Sequence, residues 1–356
     1  MRRFLPATLF VFVLTGLSLS RADDTSPIVR GPAIAEHVVI ISLDGLRPDA
    51  IQEAGAATLQ SLIRRGAYCP TAQTVRPSIT LPSHTSMLTG LDRWRHGVGW
   101  NNYRSGHIAY PTVFSMAKRA GLSTAMFFSK FSLIYLADPT KIDTVFGPVP
   151  EQRESRELVT PIAEDTGRSA PNDITPERLA EAFAEAWQRR PYALSFAHIR
   201  EPDRAGHRDG WMSPQYLEAV RTADRAVASI VATVARAGVI EKTAIIVTAD
   251  HGGARGKRRH SIRADPGNPE NVTIPWLCVA PGVPPGLVID RVVRVYDTTP
   301  TALAFLGIPA PPGIDGRPVT EVLRPARGAA QPRPCLAPCR ASRLDHRTEA
   351  LADGSR

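Results

Sequence analysis

Apolar residues in this chain fall into short continuous runs separated by longer segments in which they recur every three or four positions. Short apolar runs read as buried parallel strands, and the amphipathic segments between them read as helices covering the sheet. The predicted strands are 37–43 (His-Val-Val-Ile-Ile-Ser-Leu), 123–128, 192–198, 244–248 and 276–280. The predicted helices are 49–65, 111–120, 176–190, 214 to about 237, and 299–306. Several carry their own boundary signals. Pro176 and Pro214 stand at first helical positions, while Gly66, Gly121 and Gly307 follow helix ends. Strand and helix in alternation predict an α/β fold with a mostly parallel sheet.

Two stretches break the pattern. Residues 131–172 have no clear period and are rich in Pro and charge, which makes them an insert, either a plain surface excursion or a lid. From about Arg324 the chain is Pro-, Ala- and Arg-rich with almost no large apolar residues, so 324–356 is expected to be a disordered tail. At the other end, Met1-Arg2-Arg3, an apolar run from Phe4 to Leu19 and Ser20-Arg21-Ala22 have the layout of a cleaved signal peptide, 1–22. A linker, 23–35, then leads into one catalytic domain, 36–323. The mature protein is expected to be periplasmic or secreted. No later segment is long and apolar enough to span a bilayer.

Composition changes this picture little. The chain has 356 residues, 43% hydrophobic and 22% charged, as in an ordinary globular protein. The formal charge of +9 suggests nucleic-acid binding until it is located. The signal segment carries +3 and the tail +4, leaving +2 over 23–323. A nearly neutral body is not the footprint of a nucleic-acid-binding face. Of the four cysteines, Cys335 and Cys339 could close a small loop in the tail, whereas Cys69 and Cys278 read as small buried hydrophobes.

Candidate chemistry lies in four segments that follow predicted strands or turns. Ile40-Ile41-Ser42-Leu43-Asp44-Gly45 ends the first strand on a carboxylate. Arg76-Pro77-Ser78-Ile79-Thr80-Leu81-Pro82-Ser83-His84 holds a hydroxyl stiffly among prolines. Glu201-Pro202-Asp203 and His207 can face one centre from a single helical turn. Thr248-Ala249-Asp250-His251-Gly252-Gly253 closes another strand, and His260 follows beyond a basic loop, Arg255 to Arg259. Singly, each has a plainer reading: a helix cap, a turn, a salt-bridging loop or a solvated charge run. Together, Asp44, Asp203, Asp250, His207, His251, His260 and a positioned hydroxyl make the inventory of a two-metal hydrolytic site on one edge of a sheet.

These motifs resemble the alkaline phosphatase superfamily, most closely its type I phosphodiesterase/nucleotide pyrophosphatase branch. The likeness runs over about 37–320, with Leu-Asp-Gly, Thr-x-Pro-x-His, His-Gly-x-x-x-Asn, Pro-Asp-x-x-Gly-His and Asp-His-Gly in the family's order. It implies a three-layer α/β sandwich and two divalent metal ions, zinc by expectation. One is held by Asp203, His207 and His260. The other is held by Asp44, Asp250 and His251 with Thr80. Thr80 is then the nucleophile, forming a phosphoryl adduct, and Asn101 binds a phosphoryl oxygen. The partner is a small-molecule phosphate ester.

Two departures bear on the substrate. Nucleotide-cleaving relatives often carry an aromatic residue after the nucleophile; here it is Leu81. Some monoester-specific relatives carry Lys-x-Arg after a central strand; here Lys130-Phe131-Ser132 keeps one cation, with Lys130 as a substrate contact. One cation tilts the expectation toward diesters. The alternatives are a phosphomonoesterase or phosphonate hydrolase, or, in another class, a non-catalytic metal- or envelope-binding protein on the same fold. A sulfatase mechanism is not expected, because Thr80 cannot become formylglycine.

Overall fold

The computed structural model describes residues 26–148, 174–260 and 268–323. The expected signal segment, the tail with Cys335 and Cys339, and much of the 131–172 insert lie outside the described residues.

Strand β1 is His37–Leu43, β2 Ala67–Gln73, β3 Thr124–Phe128, β4 Thr144–Phe146, β5 Leu194–Ile199, β6 Thr243–Thr248, β7 Thr273–Val279 and β8 Leu287–Val288. They form one eight-stranded sheet in the order β4-β3-β5-β1-β6-β7-β2-β8. The helices are α1 Pro48–Glu53, α2 Ala57–Arg65, α3 Thr80–Thr89, α4 Arg93–His96, α5 Val113–Arg119, α6 Pro176–Arg189, α7 Asp203–Asp209, α8 Pro214–Arg236 and α9 Thr298–Phe305. They fall into two groups by mutual contact. Helices α1, α2, α6 and α7 meet α8, whereas α4, α5 and α9 gather around α3. The amphipathic α6 buries Leu179, Phe183 and Trp187, and α8 buries Val220, Val227, Ile230 and Val234. Strands β3, β5 and β6 are buried along their whole length. Their unbroken apolar runs follow from lying between two helical layers. This is the expected three-layer sandwich.

Some elements differ from expectation. The 49–65 helix is two helices, broken at Ala54-Gly55-Ala56, where Gly55 takes φ +65°. Strands β2, β4 and β8 carry no clear pattern, being very short or, in β2, interrupted by Pro70. Part of the insert therefore completes the sheet, as β4 pairs parallel to β3. Strand β7 runs antiparallel to β6, with Thr248 opposite Trp276. A parallel neighbour needs a crossover back to the other edge. An antiparallel β7 instead begins at the edge where β6 ends, and there the Gly252 N–H donates to the Asn271 carbonyl at 3.1 Å.

The four neighbours β3, β5, β1 and β6 are all parallel. Ser42 near the end of β1 lies opposite His198 on one side and Thr248 on the other. Phe128 lies opposite His198. Lys130, Asp203, Asp44 and Asp250 all follow these strand ends and so rise from one sheet edge.

Candidate active site

The centre begins with a close approach of two backbones. The Asp203 N–H donates to the Asp44 carbonyl at 2.8 Å. Residue 45 must be glycine for this: it takes φ +72°, and a Cβ there would lie 2.9 Å from the Asp203 Cα. Asp44, Asp203 and Asp250 are fully buried. Three carboxylates so placed need compensating positive charge.

Each carboxylate has one oxygen tied and one left open. Asp44 Oδ2 accepts from His198 Nε2 at 2.9 Å and from Lys130 Nζ at 3.3 Å. Asp203 Oδ2 accepts from Lys130 Nζ at 2.8 Å. Asp250 Oδ1 accepts from the N–H groups of Gly45 (3.1 Å) and His251 (3.0 Å). Asp44 Oδ1, Asp203 Oδ1 and Asp250 Oδ2 are buried without a hydrogen-bond partner among the described residues.

The histidines are arranged in the same way. His251 Nδ1–H donates to the Gly252 carbonyl, His207 Nδ1–H to the Arg258 carbonyl and His260 Nδ1–H to the Ser78 carbonyl, each at 2.8 Å. A carbonyl only accepts, so each bond assigns the proton to Nδ1 and leaves the Nε2 lone pair aimed inward. His251 Nε2 stands 3.2 Å from Asp44 Oδ1, and His260 Nε2 stands 3.7 Å from Asp203 Oδ1. Lone pairs facing lone pairs in a buried site are unfavourable unless a cation lies between them.

Ligand atoms of Asp203, His207 and His260 lie within 4.8 Å of one another, as do those of Asp44, Asp250 and His251. These are the two sets expected from the motifs, His260 included. The mixture of imidazole nitrogen and carboxylate oxygen suits divalent transition metals. The electrostatics agree. Burial works against a charge on His251, but Asp250 and the other carboxylates outweigh it and raise its pKa to about 9. A proton is thus favoured where a metal would bind. Burial would raise the Asp44 carboxyl, yet Lys130 and His198 hold it well below the usual range. Asp250 is pushed up by burial and by the charge of Asp44.

Thr80, also fully buried, is the first residue of α3, where helix N–H groups lack intrahelical acceptors. Its Oγ1 accepts from Lys130 Nζ at 2.8 Å. Lys130 is therefore not a surface lysine; it joins the hydroxyl to an aspartate of each ligand set. Asn101 Oδ1 accepts from the Leu81 N–H at 2.8 Å, which orients the amide and leaves its Nδ2 protons as donors beside Thr80. Leu81 is fully buried.

The motifs assigned no role to two further buried residues. His198 orients Asp44, and its Nδ1 accepts from Ser129 N–H at 3.4 Å. A histidine interrupting an apolar strand near its C-terminal end was the available signal. His84, one helical turn after Thr80, donates through Nδ1 to the Thr80 carbonyl and accepts through Nε2 from Ser42 Oγ, both at 2.8 Å. Burial holds His198 and His84 below the usual histidine range. In the basic loop, Arg255 is engaged with Glu53 at 2.9 Å, so this charge anchors the loop to α1.

His96 lies on α4, near Asn101. It accepts from Val98 N–H through Nδ1 (3.1 Å), and its Nε2 pairs with Ser86 Oγ (2.9 Å). Burial, helped by Arg93, lowers its pKa to about 4. The unfolded chain then binds more protons between about pH 6.5 and pH 4, so stability must fall as pH falls through that window. Urea denaturation of His96→Gln is expected to show about 2 kcal/mol less loss between pH 7 and pH 5 than the wild type.

The parallel sheet between helical layers, with carboxylates and imidazoles converging at its C-terminal edge, defines an alkaline phosphatase-like protein. The chain belongs to the type I phosphodiesterase/nucleotide pyrophosphatase family, whose model matches residues 38–274. Human ectonucleotide pyrophosphatase/phosphodiesterase family member 7 is 23% identical over 260 residues, which is 68% of this chain and 53% of the relative. The chain thus spans about half the length of that curated relative. Murine ectonucleotide pyrophosphatase/phosphodiesterase 5, solved in complex with AMP, superposes with a TM-score of 0.60 at 14% identity, covering 81% of this chain and 98% of the other. A phosphonate monoester hydrolase from Silicibacter pomeroyi gives a TM-score of 0.56 at 19% identity, with 83% and 78% covered. Among the described residues no helix is long and apolar enough to cross a membrane.

Proposed function

We propose that the protein is an exported hydrolase of small phosphate esters, working with two divalent metal ions and favouring phosphodiesters. The observation that carries this reading is the Lys130 ammonium, which bonds Thr80 Oγ1, Asp44 and Asp203 at once. Hydroxyl and ligand sets therefore share one small volume. Asp203, His207 and His260 would hold one ion, and Asp44, Asp250 and His251 the other. Bound there, such ions supply Lewis acidity, favouring ionisation of a nearby hydroxyl and offsetting charge on a leaving oxygen.

The chain's own residues do the rest. Thr80 attacks phosphorus, displaces the alcohol and carries the phosphoryl group until water releases it. The Asn101 amide donates to a non-bridging oxygen, a contact that strengthens as charge develops. Lys130 orients the Thr80 hydroxyl and faces the same phosphoryl group. His84 holds the Thr80 carbonyl and so fixes the start of α3. With Leu81 buried, substrate specificity does not come from stacking next to the nucleophile.

The test compares kcat/KM on bis(p-nitrophenyl) phosphate and p-nitrophenyl phosphate with zinc-reconstituted protein. A higher value on the diester is expected, and Lys130→Ala should lower it by roughly 10²-fold. A higher value on the monoester would support the phosphomonoesterase reading instead. Metal binding without turnover of either ester would leave a binding protein.

A further inference from the structure

The two ligand sets are built differently. Asp44 directly follows β1 and the Asp250-His251 pair follows the adjacent β6 after one residue, and all three are fully buried. Asp203 and His207 ride on the short helix α7, and His260 comes from the segment after β6. Something must hold these two pieces together, and Trp211 touches both.

Trp211 is fully buried. Its ring meets His207 edge-on at 5.2 Å and His260 edge-on at 5.3 Å between centroids. The indole N–H donates to the Gly45 carbonyl at 3.1 Å, beside Asp44. Its backbone pairs with the basic loop: Trp211 N–H donates to the Lys257 carbonyl (3.1 Å) and Gly256 N–H donates to the Trp211 carbonyl (2.8 Å). The indole also lies where a Cβ would be on Gly206, one residue before His207, and on Gly253, two after His251. A flat, rigid side chain thus fills the space between α7 and the loop and fixes two imidazoles from separate segments.

We propose that Trp211 is the positioning residue that assembles the Asp203–His207–His260 set, so that one metal is held through Trp211 and the other independently of it. The proposal rests on the di-metal reading above. It requires that loss of the indole weaken one metal selectively, because Asp44 is held by His198 and Lys130, Asp250 by the N–H groups of Gly45 and His251, and His251 by the Gly252 carbonyl.

The experiment titrates the full chain, stripped of metal, with Zn²⁺ and with Co²⁺. Bound metal is counted by mass spectrometry, and the Co²⁺ visible spectrum is recorded at each equivalent. Wild type should take up two equivalents. In Trp211→Leu the first should bind as in wild type, while the second should weaken by about 10- to 100-fold with an altered Co²⁺ spectrum. Trp211→Phe keeps a ring against both histidines but loses the N–H, and should recover part of the second affinity. If Trp211→Leu does not fold, Trp211→Phe carries the test, with at least a threefold weakening of the second equivalent alone. Wild-type affinity for both metals in the variants, or equal weakening of both, overturns the role of Trp211. Wild-type protein that binds no metal counts instead against the di-metal reading.

Discussion

Thr80→Ala is expected to lower hydrolysis of a chromogenic phosphodiester by at least about a thousandfold while the protein stays folded and keeps its metal. The hydroxyl is small and buried, and among the described residues its structural bond runs to Lys130 Nζ. Removing it leaves α3 intact, because that helix start is held through the Thr80 carbonyl by His84 and through Leu81 N–H by Asn101. The loss should fall on kcat more than on KM, since Asn101 and the metals still bind the phosphoryl group. Thr80→Ser, which restores a hydroxyl, should regain much of the activity. Rapid-quench trapping of a phosphorylated protein in the wild type, absent from Thr80→Ala, would identify the nucleophile directly. Equal rates in Thr80→Ala and wild type would exclude Thr80 from the chemistry.

Removal of metal should have an effect as large on rate and a second one on stability. Dialysis against a chelator is expected to abolish turnover, and added Zn²⁺ to restore it. In the stripped protein the open oxygens of Asp44, Asp203 and Asp250 converge on His251 Nε2, at 3.2, 3.7 and 3.5 Å, with Lys130 as the neighbouring ammonium. A ligand that binds only the folded state adds RT ln(1 + [L]/Kd), about 4 kcal/mol when free metal exceeds Kd a thousandfold. For a domain of this size that corresponds to a fall in Tm of roughly 7 °C on chelation. An unchanged Tm together with undiminished activity in excess chelator would show that the two ligand sets hold no functional metal.

Much of this centre was legible in the residues themselves. Asp44, Asp203 and Asp250 each stand just after an apolar strand, and in a parallel sheet such positions share one edge. His260 entered as a ligand through the family resemblance and not through a local motif, and its Nε2 stands 3.7 Å from Asp203 Oδ1. Less legible were residues whose role depends on a partner distant in sequence. Lys130 read as a lone cation after β3, yet it closes a triangle with residues 50, 86 and 73 positions away. His198 and His84 were given no role, because nothing local marks the carboxylate or carbonyl they orient. Trp211 carried no motif at all.

The order of apolar and amphipathic segments, read alone, determined the α/β layering, the central strands and the sheet edge that bears the chemistry. Periodicity and residue type express burial, and burial is a local property of each segment. Tertiary structure alone decided which oxygen of each aspartate stays open, which nitrogen of each histidine faces inward, that β7 turns back antiparallel, and that one tryptophan joins α7 to the loop of His260. Those features depend on contacts between segments far apart in the chain, and hydrogen-bond geometry exists only once the backbones have met.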